Sequence, residues 1–190
     1  MPSLIREDLV HTIEQNAGNL IFPNPFLVDA ALTPVEPRVM LAAFSLNESS
    51  GGYNNKPRYE PAYGPGGKYY KGLQATLYDL YGKMASSSVS SFQLMYVIFR
   101  EFGFAYSPDQ ASNDKNAVPI VVKYFNNRIF KNNEPNFLGM AGDAYNSGNW
   151  RDYIVPIDYM NRLLKNYNKV LNSGIWQIDP KYTVQAWDGQ

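Results

Sequence analysis

Leu4, Ile5, Leu9, Val10 and Ile13 recur at helical spacing near the start of the chain, which predicts an amphipathic helix over residues 3–16. Residues 18–32 show no period and contain Pro23 and Pro25, so they read as irregular. The TPVE stretch then offers a hydroxyl at Thr33, Pro34, and an acid at Glu36, the form of a capping box with proline in the first turn. A helix is expected over residues 34–48, burying Val35, Met40, Ala43 and Phe44, with Gly51 or Gly52 as the left-handed residue that ends it. Residues 53–67 are rich in Gly, Pro, Asn and Tyr and read as a loop with room for short strands.

Leu73, Leu77, Leu80 and Tyr81 predict a helix over residues 69–84, weakened by Gly72. The serine run at 85–91 reads as a flexible turn and cap, and FQLMYVIFREF at 92–102 as a buried helix closed by Gly103. Residues 107–116 read as loop or cap. Further helices are expected over 118–130, 137–145 and 153–171, the last with Ile157, Met160, Leu163, Leu164 and Tyr167 on one face. The tail from 175 has only a short alternating piece, YTVQAW. The pattern sums to a mainly α chain with a long polar loop or small β piece after residue 48.

One position raises a chemical question. The apolar run VMLAAFSL is followed at once by Asn47 and the acid Glu48, then by two serines and two glycines. A helix C-terminus carries roughly half a negative charge. That pole and the apolar neighbours both favour the neutral acid, so the pKa of Glu48 is expected to rise. A carboxylic acid still protonated near neutral pH can give its proton to a leaving-group oxygen. The plain alternative is a solvated glutamate at a frayed helix end, costing about a few tenths of a kcal/mol.

Composition narrows the partners. A chain of 190 residues with 45% hydrophobic residues is long enough to bury a core. Lys+Arg and Asp+Glu are both 17, which argues against gripping nucleic acid by charge alone. The chain has no cysteine and one histidine, His11, so thiolate metal sites are impossible. No acidic cluster has calcium-loop spacing; no metal or cofactor is called for. GPGGKYYKG at 64–72 lacks the Lys-Ser/Thr pair and preceding strand of a phosphate loop. No run approaches the ~20 apolar residues of a membrane span, and the charged N-terminus has no apolar core of a signal peptide. Fifteen Tyr, ten Phe and three Trp make 15% of the chain aromatic. Tyrosines among Asn and Gly suit a groove that holds a sugar polymer, and equally a half-wet core.

Three short motifs then fall in order: Glu48-Ser49, SSFQLM at 90–95 and AYNSG at 144–148. Together they resemble the lysozyme-like lytic transglycosylases of the soluble type and the goose-type lysozymes. Ser90-Ser91-Phe92-Gln93 looks like that family's Gly-Leu-Met-Gln segment. Ala144-Tyr145-Asn146-Ser147-Gly148 looks like its Ala-Tyr-Asn-Ala-Gly, and Tyr159 like a tyrosine on its last long helix. The RYEP segment at 58–61 is similar to loops of phage-encoded members. Ser90 stands where the family has Gly, which predicts a less tight backbone there. No proline follows Met95, and the segment between Glu48 and Gln93 is long.

The resemblance implies a lysozyme-like helical domain over 34–174, preceded by a helix and irregular lead-in over 1–33 and followed by a tail over 175–190. It implies cleavage of the β-1,4 bond between N-acetylmuramic acid and N-acetylglucosamine in peptidoglycan, with Glu48 as general acid and then base. Gln93 and Leu94 would hold the acetamido group, Tyr145 and Asn146 the groove floor, Tyr159 would position Glu48, and Ser49 and Glu60 would also lie against the substrate. An inverting hydrolase needs a second carboxylate ~6.5–9.5 Å from the first; Glu60 is the nearest candidate and Asp79 the next. No Asp lies between Ser49 and Lys68, which favours a transglycosylase over a lysozyme. Glu60 could equally pair with Arg58. The implied partner is the glycan strand, with no nucleic acid and no membrane span, and a place in a larger virion or cell-wall assembly stays open. The expected site of action is the cell wall, reached from the periplasm, from outside or within a phage particle. Two other classes stand beside this one: a non-catalytic glycan-binding module on the same fold, and an unrelated helical partner-binding protein.

Overall fold

The computed structural model describes residues 3–28, 32–148 and 157–183. The fold is mainly helical with a small sheet. Helix α1 (Glu7–Ala17) turns its apolar face, Leu9 and Ile13, onto α2 (Pro37–Ser49) and α6 (Asp114–Tyr124). Its stripe joins one core that runs from Ile5 to Trp176. The lead-in and the start of the tail are therefore built into the same core as the helices between them. His11 lies exposed beside this face, its Nε2 3.0 Å from Gln15 Nε2.

Helix α2 starts three residues later than the TPVE reading predicts. Its cap is Glu36, whose carboxylate accepts the Val39 amide at 2.7 Å, and Pro37 takes the first helical position. Thr33 and Val35 are held extended instead: the Val28 amide donates to Thr33 O at 2.8 Å and the Val35 amide to Phe26 O at 3.2 Å. A capping residue followed by proline occurs twice in this stretch, as Thr33-Pro34 and Glu36-Pro37, and backbone pairing decides which copy caps the helix. The helix ends on Ser50, at φ 56, rather than on a glycine. The amides of Ser50 and Gly51 close on Leu46 O and Ser45 O, and Gly51 and Gly52 continue in positive φ.

After α2 the chain forms β1 (Arg58–Tyr59), a 3₁₀ turn at Pro61–Tyr63, and α3 (Leu73–Tyr81), which runs into a second 3₁₀ turn at Gly82–Ser86. Of the apolar positions that predicted α3, only Leu77 is buried; Leu73 and Leu80 are exposed. The serine run is not a flexible turn. It forms a buried strand, β2 (Ser87–Val89), which pairs antiparallel with β1 on one side and with β3 (Leu94–Met95) on the other. Each buried hydroxyl from Ser86 to Ser88 donates within the fold, to Tyr63 O, Lys83 O and Gln93 Oε1 at 2.8, 2.9 and 3.0 Å. Internal satisfaction is what lets serines occupy a core strand.

The buried helix expected from residue 92 begins only at α4 (Tyr96–Glu101), because Gln93 at φ 48 breaks any helix there. A short α5 (Pro108–Ala111) precedes α6. Helix α6 passes into a π-helical turn, Phe125–Phe130, then α7 (Lys131–Asn133) and α8 (Leu138–Ser147). Helix α9 (Ile157–Leu171) packs on α2 and α8, with Tyr159, Leu163, Tyr167 and Val170 inward and Ile157 out in solvent. A Cβ on Gly142 would fall 2.6 Å from Leu163 Cδ2, so any larger residue there would force the Leu163 side chain to shift at the α8–α9 crossing. The start expected for this helix, 153–156, and most of YTVQAW lie outside the described residues.

Candidate active site

The last turn of α2 brings Glu48 to the wall of a cavity of about 760 Å³, within the size range of small-molecule sites. The sheet supplies one side of it through Arg58, Ser88, Leu94 and Met95; α8 supplies Tyr145, Asn146 and Ser147, and its cap Gly148. Glu48, Glu60, Gln93, Leu94, Tyr145 and Asn146, picked out from the sequence, all line this one space.

The Glu48 side chain is 13% exposed. Burial is the largest influence on it and pushes its pKa above the ordinary 4.5; the Tyr159 hydroxyl and the Arg58 and Arg162 cations pull the other way. Tyr159 Oη donates to Glu48 Oε1 at 2.6 Å. Burial and the adjacent carboxyl hold the Tyr159 hydroxyl well above its usual range, so Tyr159 stays a donor. Arg58 Nη2 lies 3.7 Å from Glu48 Oε2, and the Arg58 side chain is 58% exposed. With Oε1 engaged by Tyr159, Oε2 is the oxygen left to carry a transferable proton. A second layer backs this pair. Asn47 Oδ1 accepts from Arg162 Nε at 3.1 Å and Asn166 Nδ2 at 2.9 Å, and the Arg162 guanidinium sits 5.5 Å from the Tyr159 ring centre.

Ser49 does not face the cavity. It is buried, its hydroxyl donates to Ser91 O at 2.7 Å, and it accepts the Gly52 amide at 3.0 Å. Its part is to fasten the end of α2 to the β2–β3 turn, a correction to its expected place against substrate. Gln93 lines the floor, but both its amide hydrogens go inward, to Ser90 O at 2.9 Å and Lys56 O at 3.3 Å, and Oε1 accepts from Ser88. One Oε1 lone pair is left for a ligand. Ser90 takes φ 67, the left-handed geometry a glycine would take, so the backbone there is as tight as glycine would make it. Tyr145 is wedged into the core, its ring stacked on Phe125 at 5.4 Å and tilted against Phe44 at 4.9 Å. Its hydroxyl donates to Phe92 O at 2.6 Å, tying α8 to the β2–β3 turn. Asn146 is exposed at the cavity.

Glu48 and Glu60 are the two carboxylates among the described lining residues; Asp79 sits exposed on α3, outside the cavity. Arg58 approaches Glu48, so the alternative in which it pairs with Glu60 gives way to an ion pair with the buried acid. Sequence reasoning missed Tyr63, Tyr124, Arg128 and Asn132, which also line the space. Arg128 and Asn132 arrive through the π-helical turn and α7, and a change of helical pitch leaves no period to read.

The set of groups can donate a proton from a shielded carboxyl to a ligand held among amides, tyrosines and two arginines. Comparison with family models, with curated proteins and with solved structures finds no match to the chain.

Proposed function

We propose that this protein is a peptidoglycan-cleaving enzyme that breaks the β-1,4 bond between N-acetylmuramic acid and N-acetylglucosamine as a lytic transglycosylase. The observation that carries this reading is the shielded Glu48, hydrogen-bonded by Tyr159 at the wall of the cavity that Asn146 and Gln93 also line.

In this mechanism Glu48 Oε2 gives its proton to the glycosidic oxygen as the bond from that oxygen to C1 breaks. The acetamido oxygen of the same sugar closes on C1 from the opposite face. Glu48, now a carboxylate, accepts the proton of that sugar's C6 hydroxyl. The C6 oxygen displaces the acetamido oxygen from C1, leaving a 1,6-anhydro end and a reprotonated Glu48. The ordering hydrogen bond from Tyr159 strengthens while Glu48 is charged, which is when it is needed. Activity requires the acid form, so the rate falls as pH rises through the elevated pKa of Glu48. The site of action is then the cell wall, with the chain working as a cell-wall enzyme or as part of a virion.

Glu60 in the same cavity favours a second reading, hydrolysis in the goose-type manner, with Glu60 activating water. Mass spectrometry of the fragments released from purified sacculi separates the two. The transglycosylase leaves anhydro ends, one water lighter than the reducing ends of a hydrolase. Sacculi that release no fragments at all would remove both readings.

A further inference from the structure

The loop from β1 to α3 carries aromatic rings beyond the cavity, on a backbone that is held in place. Tyr63 lines the cavity. Tyr69 packs its ring against Tyr63, centres 4.8 Å apart and tilted 34°, yet is 43% exposed and lies outside the lining. The Tyr69 amide donates to Ala62 O and the Gly67 amide to Gly64 O, both at 2.8 Å. The buried Gln74 Nε2 and the Ser86 hydroxyl both donate to Tyr63 O, at 2.9 and 2.8 Å. A side chain on Gly67 would run into the carbonyl oxygens of Pro61 and Ala62, and one on Gly64 into the Tyr59 hydroxyl. The rings are thus presented by a loop that has little freedom left to lose, and preorganisation of this kind favours binding.

We propose that Tyr63 and Tyr69 form a stacking platform for a β-1,4-linked, N-acetylated glycan, continuing the cavity outward so that sugar units beyond the cleavage point are held on the rim. A tyrosine ring offers an apolar face to a sugar ring and a hydroxyl to its polar edge. Continuity through Tyr63 ties the platform to the cavity. Lys68 Nζ lies over the Tyr69 ring, 5.1 Å from its centre. This cation complements a polymer that bears carboxylates, as peptidoglycan does. The platform rests on the proposed function for the identity of the polymer, but binding is read apart from cleavage.

The test is calorimetric binding of the hexamer and the trimer of β-1,4-linked N-acetylglucosamine to the full chain carrying Glu48→Gln, so that nothing is cut. Adding Tyr69→Ala is expected to weaken hexamer binding about fivefold to tenfold, as loss of an aromatic contact does. Trimer binding should stay within about twofold, since a short chain need not reach the rim. Tyr69→Phe should keep hexamer affinity within about twofold, because the stacking face remains. Hexamer binding that is absent, or unchanged by Tyr69→Ala, overturns the platform. So does unchanged hexamer binding with a loss of self-association in sedimentation, which would assign the rings to a second copy of the chain. Tyr69-dependent hexamer binding by a protein that releases nothing from sacculi keeps the platform and removes the lyase. Release from sacculi with Tyr69-independent binding does the reverse.

Discussion

Replacing Tyr159 with Phe tests the electrostatics of Glu48 with little change in packing. The ring stays in its buried place against α8, near Gly142 and under Arg162. What goes is one hydroxyl and its 2.6 Å hydrogen bond to Glu48 Oε1. A bond to a carboxylate contributes about 1.5–3 kcal/mol and a bond to a neutral acid about 0.5–1.5 kcal/mol. The hydroxyl therefore favours the ionised form by about 1–1.5 kcal/mol, and each 1.36 kcal/mol corresponds to one pH unit. Losing it should carry the alkaline limb of the pH–activity profile upward by about one pH unit. The assay is the rate of sacculus clearing as a function of pH, wild type against variant. Activity on the acid side should fall as well, because the carboxylate formed in the first step loses its partner. Urea denaturation should show a loss of about 1.5–3 kcal/mol above the elevated pKa and a smaller one below pH 4.5, where the acid is neutral. An alkaline limb that stays put, or moves down, refutes the assignment of that limb to a Tyr159-bonded Glu48.

Glu48→Gln should raise thermal stability at neutral pH. The folded-state pKa lies above the unfolded one, so the cost of the carboxylate begins as pH rises past 4.5 and is complete above the folded value. The gain in melting temperature, about 2–4 °C per kcal/mol for a chain of this size, should vanish in scans below pH 4.5; a gain that persists there contradicts the cause. Asp114→Asn should cost about 2–4 kcal/mol in urea denaturation, because buried Asp114 accepts from Arg6 Nη2 and Ser91 Oγ, both at 2.6 Å, and joins α1 to the β2–β3 turn. A loss under 1 kcal/mol would mean the cluster adds little. Gly142→Ala should cost about 1–3 kcal/mol through overpacking against Leu163, and should lower activity more than Gly18→Ala, where a Cβ meets nothing within 4 Å.

Glu48 was legible in the sequence because its signal is local: an acid directly after an apolar helical run, at the pole that disfavours its charge. Tyr159 and Asn146 were legible only through a resemblance, since no spacing rule joins positions 111 residues apart. The β2 strand was misread because serine signals turns when its hydroxyl bonds its own backbone. Here the hydroxyls of Ser86, Ser88 and Ser91 find partners in other segments, in Tyr63, Gln93 and Asp114. The start of α2 was displaced by pairing between residues 26–28 and 33–35, a contact that propensity does not contain. Arg58 was missed as a partner of Glu48 because it approaches from a two-residue strand, too short to leave a period. Gln93 was found at the floor, but its inward bonds depend on Ser88 and Lys56 coming together through the sheet.

The proposed role of Glu48 is to deliver the proton that breaks a glycan bond. Its most direct test is the release of muropeptides from purified sacculi by wild type and by Glu48→Gln in parallel, with circular dichroism confirming that both are folded. Wild type should release fragments, and the variant about 10²–10⁴-fold fewer per unit time, the share that general acid catalysis supplies. Equal release by the two proteins, or none by wild type, would contradict it.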